Sequence, residues 1–226
     1  GNNLVSGDTN GTTDVFVRDT VTNTTTRVSV DSNSVQGNGG SFDSSISTDG
    51  RYVAFASRAS NLVNGDTNVA VDVFVRDIAT NTTTLVSVSS SGAQGDGDSF
   101  YPANFVSTKI SANGRYVAFT SVASNLVIGA GYIPNIFLRD TIANTTTLVS
   151  VASSGVQVNG LSLYPSISAD GRYIAFYSNG NNLVSGDTNG TTDVFVRDTV
   201  ANVTTRVSVD SSSIEGNNDS YVPYIS

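Results

Sequence analysis

The sequence predicts an all-β fold, a β-propeller of four blade units, on three observations. The first is a repeat. DVFVRD stands at 14–19 and 72–77, returns as NIFLRD at 135–140 and recurs as DVFVRD at 193–198. Leu4, Leu62, Leu126 and Leu183 hold one position in it, so the steps are 58, 64 and 57 residues. A period just above 50 built from short strand patterns points to a radial or solenoid β-array. The second is texture. No segment shows a 3.6-residue period, and glycine and β-branched residues are spread throughout, which argues against helices. The third is punctuation. Asp49-Gly50, Asn113-Gly114 and Asp170-Gly171 recur at one place in the repeat. Such pairs make hairpin turns because Asn and Asp tolerate, and Gly readily adopts, a positive φ.

Each repeat contains four strand-like runs. The first is short and ends at Ile46-Ser47, Ile110-Ser111, Ile167-Ser168 or Ile225-Ser226. The second, after the Gly turn, is RYVAFAS (51–57), RYVAFTS (115–121) or RYIAFYS (172–178). Its apolar residues on both faces suit a strand covered on both sides. The third is DVFVRD, with Val15 and Val17 on one face and Phe16 on the other. A turn holding Asn23, Asn81, Asn144 or Asn202 leads to the fourth, TTRVSV or TTLVSV. The first, third and fourth runs occur four times and the second three times, so the count is fifteen strands, one short of four blades. One blade is therefore expected to be closed by the N- and C-terminal segments and to lack a strand. In that blade 220–226 should pair near Val15 or Val28. The expected core holds Val15, Val17, Val53, Phe55, Val73, Val75, Val117, Phe119, Ile174, Phe176, Val194 and Val196. The repeats fall at about 1–59, 60–123, 124–180 and 181–226, as a single domain or a segment of a longer propeller array, because one repeat cannot bury its apolar faces alone.

The series xIS-x-DGRYVAF-x-S, DVFVRD, TTxVSV resembles the TolB-type β-propeller repeat across essentially the whole chain. The long Asn/Ser/Gly loops and the GDTN segment depart from the usual form. The resemblance implies the fold and leaves the function open, since the family includes binding scaffolds, peptidase-associated propellers and secreted proteins of many roles.

Composition narrows the role. Net charge is −8, Lys109 is the only lysine and Glu215 the only glutamate. An acidic, lysine-poor surface repels phosphate backbones, so nucleic acid is not an expected partner. No apolar run is long enough for a membrane-spanning helix. There is no cysteine, histidine or methionine, which removes disulfides and thiolate metal sites. Low charge with many hydroxyl and amide side chains suits a secreted, cell-surface or periplasmic protein of bacterial style.

The GDTN loops are the metal candidates. Asp8, Asn10 and Asp14 recur as Asp66, Asn68 and Asp72, and as Asp187, Asn189 and Asp193. Three hard oxygen donors within seven residues suit Ca²⁺, which takes six to eight oxygens. Turn capping by Asp and Asn accounts for the same letters without metal. The third repeat reads Gly129 to Asn135 without a carboxylate and is expected to bind nothing.

Ligand contacts are expected on the long-loop face, where the insertion between Pro102 and Ile110 lies, and from Tyr101, Phe105, Tyr164, Tyr221 and Tyr224 near the first strands. These tyrosines also suit channel filling. Without His or Cys the Ser–His and Cys–His nucleophile systems are absent, and most aspartates recur with the repeat. The chain is thus read as a non-enzymatic, calcium-stabilised module binding a glycan or protein. The alternatives are a structural protein that self-associates through open blade edges and, third, a glycoside hydrolase with a carboxylate pair. The Asn-x-Thr triplets are read as turn residues.

Overall fold

In the computed structural model residues 2–99 and 108–226 are described. They form fourteen strands and, among the described residues, no helix. The strands are β1 (Phe16–Asp19), β2 (Thr24–Arg27), β3 (Ser41–Ile46), β4 (Tyr52–Ser57), β5 (Asp72–Asp77), β6 (Thr82–Leu85) and β7 (Thr108–Ile110). The second half holds β8 (Tyr116–Ser121), β9 (Asn135–Asp140), β10 (Thr145–Leu148), β11 (Ser162–Ile167), β12 (Tyr173–Ser178), β13 (Asp193–Asp198) and β14 (Val203–Arg206). Three four-stranded antiparallel sheets follow chain order, β3 to β6, β7 to β10 and β11 to β14. The expected fourth blade, closed by the two chain ends, is not formed. β1 and β2 form a separate two-stranded sheet, and 221–226 forms no strand.

Sequence explains the sheets. In the second strand Phe55, Phe119 and Phe176 are fully buried, and each faces the phenylalanine of the third strand. Phe55–Phe74, Phe119–Phe137 and Phe176–Phe195 stack with centroids 5.8–5.9 Å apart. Such pairs add to the stabilisation of burial itself. The Arg before each second strand grips the Asp ending the third: Arg51 Nη2 lies 2.7 Å from Asp77, and Arg115 and Arg172 lie 2.6 Å from Asp140 and Asp198. The same carboxylates accept from the backbone amides two and three residues further on in the turn. Asp19 makes these turn bonds, and among the described residues it has no such arginine.

Three details differ from expectation. The segment 221–226 does not pair near Val15 or Val28: β1 ladders only with β2, and Ile225 N instead donates to Ser166 Oγ of β11 at 3.0 Å. The missing second strand leaves a slot that backbone hydrogen bonds cannot span. Val17, Val194 and Val196 are half-buried rather than core, because they lie in the end units where the neighbouring blade face is absent. Conversely Phe74, Phe137 and Phe195, assigned to the other strand face, are fully buried.

Candidate functional site

The metal candidates resolve into four versions of one loop. A serine from the segment after the fourth strand fixes the second Asp: Ser29, Ser87 and Ser208 each donate to Asp14, Asp72 and Asp193 at 2.5 Å. The asparagine braces the loop, and in the fourth repeat Asn189 Nδ2 also donates to Asp193 Oδ2 at 3.0 Å. Asn10, Asn68 and Asn189 donate to the carbonyls of Gly37, Gly95 and Gly216 at 2.8–2.9 Å. Their oxygens accept from Thr12, Ala70 and Thr191 backbone amides. A glutamine, absent from the expected set, bridges the two aspartates. Gln36 Nε2 reaches Asp8 and Asp14 at 3.1 and 3.3 Å, and Gln94 Nε2 reaches Asp66 and Asp72 at 2.8 and 2.9 Å.

The cation balance separates the repeats. In the first, Arg27 Nη1 lies 3.7 Å from Asp8 and 4.0 Å from Asp14. In the fourth, Arg206 Nη1 lies 3.4 Å from Asp187, 3.5 Å from Asp193 and 2.7 Å from Glu215. In the second, the corresponding residue is Leu85, and no arginine reaches Asp66 or Asp72 among the described residues. Burial, with Asp66 nearby, pushes the Asp72 carboxyl up to about 6, and burial also raises Asp66. In the third, Asn135 donates to the Ala130 carbonyl at 2.9 Å and accepts from Ser150 Oγ, so no charge is buried. The signal was one letter, TTRVSV against TTLVSV.

A second site lies where the first strands converge. Asp43, Lys109, Tyr164, Pro165, Val222 and Tyr224 border a cleft of about 320 Å³. The side chains are placed by a bulge. Register shifts between Phe42 and Ser45 in β3 and between Leu163 and Ser166 in β11, and Asp43, Tyr164 and Val222 have φ of 51°, 52° and 49°. A β-bulge re-aims a side chain at the cost of ladder regularity. A positive φ is unfavourable for a β-branched residue such as Val222. Tyr164 stacks on Tyr177 at 5.5 Å, and Tyr221 meets Tyr177 edge-on at 5.3 Å. Burial, then the neighbouring tyrosines, pushes the Tyr177 hydroxyl up to about 12. Burial raises the Asp43 carboxyl, although Thr108 N donates to it at 2.5 Å. The expected Tyr164, Tyr221 and Tyr224 thus come together. Tyr101 and Phe105 lie outside the described residues. Tyr177 was missed because it sits in the second strand, and Asp43, a carboxylate that does not recur with the repeat, was passed over because it sits in a Ser-rich run.

No protein-family model matches the chain, and no curated protein does. Solved structures do match. TolB from Acinetobacter baumannii is 18% identical with a TM-score of 0.50, over 86% of this chain and 37% of that one. Tricorn protease is 14% identical with a TM-score of 0.51, over 84% and 16%. Oligogalacturonate lyase, in complex with manganese, is 9% identical with a TM-score of 0.50, over 86% and 47%. The chain spans less than half the length of each. At these identities the likeness is one of fold, and the fold is that of the TolB-like β-propellers. The reading against catalysis is corrected here. A protease and a lyase share this fold, so missing His and Cys exclude only the nucleophile systems that need them. No helix among the described residues is long and apolar enough to cross a membrane.

Proposed function

We propose that this propeller binds a carbohydrate chain in the cleft at the first strands, as part of a secreted or cell-surface protein. The observation that carries the reading is the positive-φ backbone at Asp43, Tyr164 and Val222, which all line the cleft, the first two within β-bulges. Strain of this kind concentrates at working sites. Tyr224, 88% exposed, and Tyr221 offer ring faces to the apolar side of a sugar, and Asp43 and Lys109 offer an acceptor and a donor for its hydroxyls or acid groups. Ca²⁺ belongs in the same proposal at the second repeat, where among the described residues no arginine reaches Asp66 or Asp72.

A glycan array followed by titration calorimetry tests the reading. Tyr224→Ala should weaken the selected glycan about tenfold, the loss of one stacking contact, with the melting temperature unchanged. An array without a hit, or binding indifferent to Tyr224 and Tyr164, would overturn it. Asp43 gives the cleft an acid as well as a surface, so the length of the bound glycan should be followed over time. Shortening would move the assignment from binding to catalysis.

A further inference from the structure

We propose that the seam between the third and fourth repeats binds a small hydroxylated carboxylic acid, its carboxylate taking a place that an aspartate fills elsewhere in the chain. The loop after the fourth strand occurs four times, as Asp31 to Gln36, Ser89 to Gln94, Ala152 to Gln157 and Asp210 to Glu215. In three of these the first side chain caps the loop. Asp31 Oδ1 accepts from the Asn33 and Val35 backbone amides at 2.8 and 2.7 Å. Asp210 Oδ1 accepts from the Ser212 and Ile214 amides at 2.8 and 2.9 Å. Ser89 Oγ accepts from the Ala93 amide at 3.1 Å and pairs with Ser91 Oγ at 2.8 Å. The third loop folds in the same way. Ala152 N donates to Val156 O at 2.8 Å and Gly155 N to Ala152 O at 2.9 Å, as Asp31 N and Ser34 N do to Val35 O and Asp31 O. Yet Ala152 has no side-chain acceptor, and among the described residues no group accepts from the Ser154 or Val156 amide. Two N–H groups of one tight loop that converge on one point make a concavity for an anion.

Space and charge fit the same occupant. A cavity of about 540 Å³ opens on Ala152, Ser153 and Ser154, whereas the matching one beside Asp31 is about 140 Å³. The larger volume is in the range of small-molecule sites. Arg197, 6% exposed, donates from Nη1 to the Ala152 carbonyl at 3.4 Å, as Arg76 does to that of Asp31 at 2.9 Å. Burial pushes both guanidinium groups down. At Arg76 the charges of Asp31 and Asp77 offset it, and at Arg197 that of Asp198 alone does so. An anion held at Ala152 supplies the absent charge, and bonds from amides to an ionised acceptor are stronger than neutral ones. The rest of the wall defines the rest of the ligand. None of the residues lining the cavity is charged. Ser154 and Ser185 line it, and their hydroxyls have no protein partner among the described residues. They suit the hydroxyls of an acid about the size of one sugar unit. The cavity shares no residue with the cleft at the first strands.

Titration calorimetry of the full chain with glucuronate, acetate, glucose and sulfate tests this. Glucuronate should bind one to one and acetate should compete with it more weakly. Glucose and sulfate should bind at least tenfold more weakly than glucuronate. Ala152→Asp places the carboxylate of the first and fourth repeats in the third. It should weaken glucuronate at least tenfold and raise the melting temperature of the ligand-free protein. If that variant does not fold, Ala152→Ser, which installs the residue of the second repeat, should weaken glucuronate in the same direction. Asp31→Ala is the converse. It should lower the melting temperature, and acetate should restore part of the loss by binding the folded state. Tyr224→Ala should leave glucuronate binding unchanged, which separates this site from the cleft. Absence of glucuronate binding, binding unaffected by the change at Ala152, binding lost with Tyr224, or sulfate or glucose binding as tightly as glucuronate would each overturn the proposal.

Discussion

At the residue scale the central contrast is Arg27 and Arg206 against Leu85. Two buried carboxylates repel each other unless a cation or a proton is shared between them. The first and fourth repeats supply a guanidinium, and in the second, among the described residues, the Gln94 amide bridges the two carboxylates in its place. Asp72 is 1% exposed and its carboxyl titrates at about 6, above its unfolded value. A raised value favours the fold while the group is protonated. Its contribution is complete below pH 3.8 and is lost as pH rises through about 6. Asp72→Asn should therefore stabilise the protein at pH 7.5, by about 2 kcal/mol, and the gain should vanish below pH 4. Thermal melts of both proteins across that range check it. Ca²⁺ at pH 7.5 should raise the melting temperature of the wild type and leave Asp72→Asn unmoved. Asp77 titrates oppositely. Its bonds with Arg51 hold the carboxyl down at about 2, so that contribution is present above pH 3.8 and is lost as pH falls through 2.

At the element scale the repeated turn shows how blades are keyed together. Gly50 and Gly114 both have φ near +73°. A Cβ at Gly50 would meet nothing within 4 Å, whereas one at Gly114 would lie 2.2 Å from the Tyr52 ring of the preceding blade. Gly114→Ala should cost about 2–4 kcal/mol, backbone strain plus overpacking. Gly50→Ala should cost about 1 kcal/mol from strain alone. Chemical denaturation of the pair isolates the blade-to-blade contact, and equal losses would show that Tyr52 does not seat there. Strand identity was legible because the Asp/Asn-Gly turns and the RYVAF and DVFVRD runs state it locally. The bulge was not. Asp43 and Tyr164 share a backbone conformation but no letter, and positive φ at non-glycine residues leaves no mark in composition. The loop arginines were legible in principle, yet their meaning depends on a strand-end residue folding back about 20 residues onto Asp8 and Asp187. The tyrosine cluster was legible only where tyrosines fell near first strands.

At the scale of the whole molecule, burial falls off from the middle of the array to its ends. The inner residues Ile110 and Ile167 are below 10% exposed, while the matching Ile46 is 48% exposed and lies next to no preceding blade. At the other end 221–226 runs beside β11 without a ladder of its own. The second strand that would normally cover it is among the most buried elements of each complete blade, with five successive buried positions in β4, β8 and β12. Adding ADGRYVAFASN after Ser226 should let that strand form, in the register in which Ile167 faces Ile174 and Ser166 faces Ala175. Each large apolar side chain buried contributes roughly 1.5–3 kcal/mol, and ordering the added residues offsets part of it. A net rise in melting temperature is expected, together with slowed amide exchange across 221–226. The same extension carrying Lys in place of its Val and Phe keeps the length but removes the apolar face, and it should leave both readouts where they were. Equal effects from the two extensions would mean that added chain length, rather than a completed blade, accounts for the change.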